Sequence, residues 1–301
     1  MSQRALLLLN RHSRRGRDTV SEAVTQLEGL GFELLEESTE KPTQLPEIIR
    51  QYRERVDLVI IGGGDGTLNA AAEGLVDTQL PLGILPLGTA NDLARTLSIP
   101  QELPEACNII ANGDLRRIDL GCVNNKHFFN VASLGLSVEI TRQLNGEIKR
   151  RWGVLAYAVT ALKVVGQTRP FAAEIRINGT SIPVRTVQIA VGNGRFYGGG
   201  LVVAEDATIN DQQLDLYSLE IQHWGQIIAL LPAMLRGSQG NWAVVRTLAG
   251  QEIEIHTRKR RAINADGELV THTPAHFRLV PQAVSVFVPK VPVVPGLQTS
   301  E

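Results

Sequence analysis

The sequence predicts an α/β domain followed by a mainly-β domain: an open parallel sheet with helices on its faces, then a β-sandwich-like unit. Three observations carry this. Before residue 115, short apolar runs alternate with helix-spaced segments through glycine-rich loops. Beyond it, strand signals dominate and turn pairs such as Asn178-Gly179 punctuate them. The length, 301 residues, allows about two domains with sizeable cores.

Arg4–Asn10 is a short apolar run, as a strand buried on both faces requires. Asp18 or Thr19 can cap a helix in which Val20, Val24, Leu27 and Leu30 recur at helical spacing, closed by Gly31. Phe32–Glu37 reads as a strand, and Leu45, Ile48, Ile49 and Tyr52 as one helix face. Asp57–Ile61 is the clearest buried strand; it runs into Gly62–Thr67 and a helix marked by Leu68, Ala71, Ala72 and Leu75. Pro81–Pro86 gives another strand, then a loop to Asp92 and a helix through Leu97. Leu115–Val123 and His127–Ala132 read as strands about an Asn124-Asn125 turn, and the apolar Trp152–Val165 as a buried helix. Strands follow at Phe171–Ile177, Ser181–Val191, Leu214–Leu219, Glu252–His256, Ala262–Asn264, His276–Val280 and Ala283–Val288, with a helix candidate at Trp224–Leu235. This divides the chain into 1–123, 124–290 and a tail, 291–301, expected to be extended and able to return to the first domain.

Composition narrows the function classes. Hydrophobic residues make up 43% and charged residues 20%, too apolar for a disordered chain, and the formal net charge is −1. That balance argues against a nucleic-acid binder working by overall charge. No uncharged apolar stretch approaches the roughly 18 residues of a membrane span, so a cytoplasmic protein is expected. Cys107 and Cys122 cannot build a disulfide framework and read as small buried hydrophobes.

Two loops carry the chemistry. Gly62-Gly-Gly-Asp-Gly-Thr67 lies between strand and helix, where free amides and the helix dipole favour phosphate. No Lys-Ser/Thr follows, so it is not a Walker A loop. Asp65 would repel bare phosphate unless Mg²⁺ lies between them or it serves in proton transfer; the plain alternative is a tight turn with a capping aspartate. Leu85–Asp92 stands at the end of the next strand, and in a parallel sheet both loops share the ligand-binding edge. There Thr89 offers a hydroxyl, Gly88 a close backbone approach, and Asn91 and Asp92 a helix cap.

IGGGDGTLN together with LGILPLGTANDLA resembles the catalytic domain of diacylglycerol and sphingosine kinases, and most closely the bacterial YegS-type lipid kinases. The resemblance continues through Val191–Tyr217 and Ile263–Glu268 and so covers nearly the whole chain. It implies transfer of the γ-phosphoryl of ATP to a lipid hydroxyl with Mg²⁺, the nucleotide lying between the two domains. Gly63, Gly64, Asp65, Gly66, Thr67, Leu68, Asn69 and Ala70 would line the triphosphate, with Thr89 from the second loop and Thr39 at the end of the second strand. Glu268 matches the family's proton acceptor, and Asp266 would share that role or shape the turn. A further Mg²⁺ (or Ca²⁺) site is implied at Thr208, Asp211 and Gln213. Two positions depart from the pattern: Gln212 stands where glycine is usual, and Ala70 where many relatives have Glu. A small-molecule kinase such as an NAD kinase, and a relative without turnover, are the competing readings.

A lipid substrate implies transient docking at the inner face of a membrane. Basic clusters at Arg14, Arg15 and Arg17, at Lys149–Arg151 beside Trp152, and at Arg258–Arg261 could serve it, or the last could bind phosphate in the cleft. Residues 1–123 hold 12 Lys+Arg against 18 Asp+Glu, a balance of −6. Residues 124–301 hold 18 against 13, or +5, so neutrality is a cancellation between an acidic and a basic half.

Overall fold

The computed structural model describes residues 3–9, 16–37, 41–143, 168–197, 201–202, 208–221, 225–226, 229–230, 233, 236 and 242–290. The first half alternates β1 (Gln3–Leu9), α1 (Gly16–Gly29), β2 (Phe32–Glu37), α2 (Leu45–Tyr52), β3 (Leu58–Gly63), α3 (Asp65–Thr78), β4 (Leu82–Pro86), α4 (Asp92–Thr96) and α5 (Leu103–Asn112). Its strands pair in parallel in the order β2-β1-β3-β4, with Ala5 opposite Leu58 and Val59 opposite Leu82. All six residues of β3 are buried, as its unbroken apolar run requires of a central strand covered on both faces. Leu27, Ile49, Leu68, Leu75 and Ile110 bring the helices onto this sheet. Each such side chain contributes about 1.5–3 kcal/mol on burial. Both cysteines are buried and free, and burial pushes the Cys107 thiol up to about 11.

The second half adds β5 (Asp114–Val123), β6 (Lys126–Phe128), β7 (Val131–Gly135), α6 (Leu136–Gln143), β8 (Phe171–Ile177), β9 (Thr180–Thr186), β10 (Gln188–Gly192), β11 (Phe196–Tyr197), β12 (Leu201–Val202), β13 (Leu214–Leu219), β14 (Val245–Gly250), β15 (Glu252–Thr257), β16 (Ala262–Ala265), β17 (Glu268–His272) and β18 (Ala275–Val288). A six-stranded antiparallel sheet, β14-β13-β10-β7-β16-β17, faces β8, β9, β15 and β18 across a shared core that includes Leu134, Ile175, Ile189, Leu216, Ile253 and Phe277. This is the expected α/β unit joined to a sandwich-like β unit.

β18 ties the two together. It pairs antiparallel with β15 and β5 and parallel with β4 at Val286 and Leu82, so a ten-stranded sheet runs through both halves. A strand from the second half thus returns to the first; residues 291–301 lie outside the described residues. The sequence reads β18 as two strands because a bulge between Val280 and Val284 interrupts its alternation. His127–Ala132 is likewise two strands, broken at Phe129-Asn130, whose amides turn to Asp266. Ser181–Val191 breaks at Val187, where the chain leaves the large sheet for the six-stranded one. The Asn124-Asn125 and Asn178-Gly179 pairs both take the positive φ of a tight hairpin. The Trp152–Val165 helix lies outside the described residues, as does most of the Trp224–Leu235 candidate.

Candidate active site

The two glycine loops meet at the C-terminal edge of the parallel strands. Gly64 follows β3 in extended conformation as the N-cap of α3, which begins at Asp65, so the first amides of α3 point out of the sheet edge. The loops pack backbone to backbone: a Cβ on Gly88 would lie 2.4 Å from the Gly64 Cα. Leu87 N–H also donates to the Gly63 carbonyl at 3.1 Å.

Side chains of the loops hold one another rather than acting alone. Asn91 takes the left-handed conformation and is buried; its Oδ1 accepts from Gly88 N–H at 2.9 Å, and its Nδ2 donates to Gln101 and to the carbonyls of Pro86 and Gly88. It therefore shapes the loop and leaves the capping of α4 to another group. That group is Asp65, whose Oδ1 accepts from Leu93 N–H at 3.0 Å across the loops. The sequence considers Asp65 a cap of its own turn; it caps the neighbouring helix.

The β16–β17 hairpin approaches from the other half. Its turn, Asp266-Gly267, has positive φ at both residues, and Asn264 Oδ1 accepts from Gly267 N–H. The Asp266 carboxylate accepts from the amides of Phe129 (2.7 Å), Asn130 (3.0 Å) and Val131 (3.1 Å). Burial pushes this carboxyl up to about 7, with the charge of Asp65 adding to the rise, against those three donors. Asp266 thus anchors the turn. Glu268, two residues on, is exposed and stands over the start of α3: a Cβ on Gly66 would be 3.7 Å from its Oε1. Asn69 donates toward the Ala265 carbonyl at 3.5 Å, closing the same seam.

The fold therefore brings Gly63, Gly64, Asp65, Gly66, Thr67, Leu68, Asn69 and Thr89 to one edge, with Asp266 and Glu268 opposite. Ala70 follows on α3, partly buried against the first core. Thr39 lies outside the described residues, as do Arg14, Arg15, the Lys149–Arg151 cluster and Trp152.

At the candidate metal turn, the Asp211 carboxylate accepts from Thr208 N–H (3.3 Å), Thr208 Oγ1 (3.1 Å) and Gln213 N–H (3.0 Å). Gln212 sits at φ 60°, the left-handed conformation for which glycine is the usual residue. Its N–H donates to Oδ2 of Asp119 at 2.9 Å, and Oδ1 of Asp119 accepts from Gln282 N–H at 2.7 Å. Asp119, 1% exposed, thus holds the Gln212 backbone in this conformation by hydrogen bonding to its N–H. Around Asp211 the protein supplies donors, and no group of three His, Cys, Asp or Glu side chains suited to a metal occurs among the described residues. A cation here would depend on the remaining Asp211 lone pairs and backbone carbonyls.

Three contributors escape the sequence reading. Asn193 donates to the carbonyls of Asp119 and Phe129, linking the metal turn to the strand start that anchors Asp266. Arg95 and Arg195 flank the Phe196 ring at 5.8 and 5.5 Å, placing two cations beside the second glycine loop. All but Arg95 lie within the Val191–Tyr217 stretch, but nothing in the spacing there points to α4.

Residues 4–123 match the diacylglycerol kinase catalytic domain, and residues 130–288 the YegS C-terminal NAD kinase beta sandwich-like domain. The chain belongs to the YegS-type diacylglycerol kinase family. It is 34% identical over 239 residues to a YegS-like lipid kinase of Yersinia enterocolitica, covering 78% of this chain and 79% of the relative. With the YegS lipid kinase of Salmonella arizonae it shares 32% over 291 residues, 95% and 96% of the two chains. With the diacylglycerol kinase of Bacillus subtilis it shares 31% over 237 residues, 78% of each. A crystal structure from Bacillus anthracis, provisionally titled a diacylglycerol kinase, superposes with a TM-score of 0.84 at 24% identity, covering 97% and 96%. That last likeness concerns the fold. Family membership makes the chain a kinase relative and gives the two glycine loops a common purpose.

Proposed function

We propose that this protein transfers the γ-phosphoryl group of ATP to a hydroxyl of a membrane lipid. One observation carries the reading: Glu268 stands exposed over the first turn of α3, fixed by a turn that three backbone amides hold through Asp266. In this reading the amides at the start of α3 and the Gly88-Thr89 backbone cradle the triphosphate. Asp65 of the first glycine loop would hold Mg²⁺ bound with the nucleotide, and that ion would supply neutralisation of phosphate charge. Glu268 accepts the proton of the acceptor hydroxyl, whose oxygen attacks the γ-phosphorus as the bond to the ADP oxygen breaks. ADP leaves. The Thr208–Gln213 turn supports the site by holding Asp119, whose amide donates to the Ile209 carbonyl and whose carboxylate accepts from Gln212 N–H.

A lipid acceptor is supported by the relatives' names and by Leu269, 47% exposed on edge strand β17 immediately after Glu268. No helix among the described residues is long and apolar enough to cross a membrane. Transient docking from the cytoplasm therefore suits the reading, with the basic second half toward the anionic leaflet. Diacylglycerol, phosphatidylglycerol and a sphingoid base all offer the required primary hydroxyl. Incubation with γ-labelled ATP, Mg²⁺ and vesicles of each lipid, with NAD as a parallel acceptor, tests the proposal. Label in a lipid is expected; label in NAD alone, or in no acceptor, would overturn it.

A further inference from the structure

Away from the glycine loops, the second half holds a cavity of about 600 Å³ between α6, β8 and the open end of the β16–β17 hairpin. Its size is that of a small-ligand site. Ala262 pairs with His272 at this end, and Ala265 with Glu268 at the other, so roughly 10 Å of strand separates cavity from candidate base.

The lining is cationic over an apolar floor. Among the described residues, Arg142, Arg169, Arg260 and Arg261 border it against one carboxylate, Glu139, which lies 3.7 Å from Arg142. Among the described residues no carboxylate lies within ion-pair distance of Arg169, Arg260 or Arg261. Arg261 is half-buried with its guanidinium 3.8 Å from the Phe171 ring centroid, and burial lowers its proton affinity. Beneath the cations Leu136, Val138, Phe171 and Val187 are all buried. Glu139 opposes that burial only from beyond ion-pair distance, and a half-buried guanidinium so placed gains from an anion brought into contact with it.

We propose that this cavity binds the phosphate group of an anionic phospholipid, at a site separate from phosphoryl transfer. Planar guanidinium forks suit phosphate oxygens, and several can share one phosphate. The apolar floor favours a phosphate that carries glycerol and the start of acyl chains over a free ion. Arg260 and Arg261, grouped by the sequence with a basic run that could serve either cleft or membrane, thereby face an anion at the hairpin's far end. Binding here needs neither nucleotide nor Glu268.

Calorimetric titration of the full chain, without nucleotide, tests this with dihexanoyl phosphatidic acid, dihexanoylglycerol and inorganic phosphate as probes. The phosphatidic acid is expected to bind at least about tenfold more tightly than either control. An Arg142→Gln/Arg169→Gln variant keeps the Arg261–Phe171 stack and is expected to weaken binding by on the order of tenfold or more. Glu268→Gln is expected to leave it unchanged, and the Arg142→Gln/Arg169→Gln variant is expected to keep wild-type ATP affinity, which separates this site from the nucleotide cradle. Equal affinity for inorganic phosphate would make it a free-anion site and overturn the lipid source. Equal affinity for dihexanoylglycerol, indifference to the double variant, or loss in Glu268→Gln would each overturn the proposal.

Discussion

Gly88 is where the site tolerates least. A methyl group there meets the Gly64 backbone at 2.4 Å and Asn91 Oδ1 at 2.6 Å, so Gly88→Ala must push the two loops apart. The expected cost is roughly 1–3 kcal/mol of stability together with weakened ATP binding, read by urea denaturation and nucleotide titration. Asp266 makes a second residue-level prediction. Its folded-state carboxyl sits near 7, above the ordinary 3.8. Between those values the folded protein keeps a proton that the unfolded chain gives up, so this group's contribution to stability falls as pH rises from about 4 to about 7. Asp266→Asn lacks that slope. Denaturation midpoints across this window should show wild type losing ground to the variant; the opposite trend would mean that the three amides outweigh burial.

The elements differ in how openly the sequence declares them. β3 and the Gly62–Thr67 loop are legible because their signals are contiguous: a buried run, then glycines, then helical spacing. The Asp266-Gly267 turn is legible as a hairpin, yet Glu268 acquires a role only by resemblance, since Gly66 lies some two hundred residues away along the chain. Asp119 is illegible. Within β5 it reads as one more charged residue after Asp114, Arg116 and Arg117, while its partners Gln212 and Gln282 are 93 and 163 residues away. It fastens the Thr208–Gln213 turn and the β18 bulge to the middle of the large sheet. Asp119→Ala would leave two amides without their acceptor, at about 1–3 kcal/mol each. Thermal unfolding should fall accordingly, and amide exchange at Gln212 and Gln282 should accelerate; unchanged exchange would contradict the fastening role.

For the whole molecule, β18 couples the halves: the strand that faces the six-stranded sheet also pairs with β4, which ends at the second glycine loop. The sequence-level boundary near residue 123 marks a change of topology, and the large sheet runs across it. The charge split, −6 against +5, follows the same line. It gives the half bearing Glu268 and the arginine-lined cavity the sign that an anionic surface attracts. In the proposed reaction this half supplies the base and the other half the nucleotide cradle. Comparing nucleotide affinity and phosphoryl-transfer rate in Glu268→Gln tests it most directly. ATP affinity is expected to stay within about twofold of wild type, and transfer to slow by roughly 10²–10⁴-fold. Transfer at the wild-type rate, or a loss wholly explained by weaker ATP binding, would contradict it.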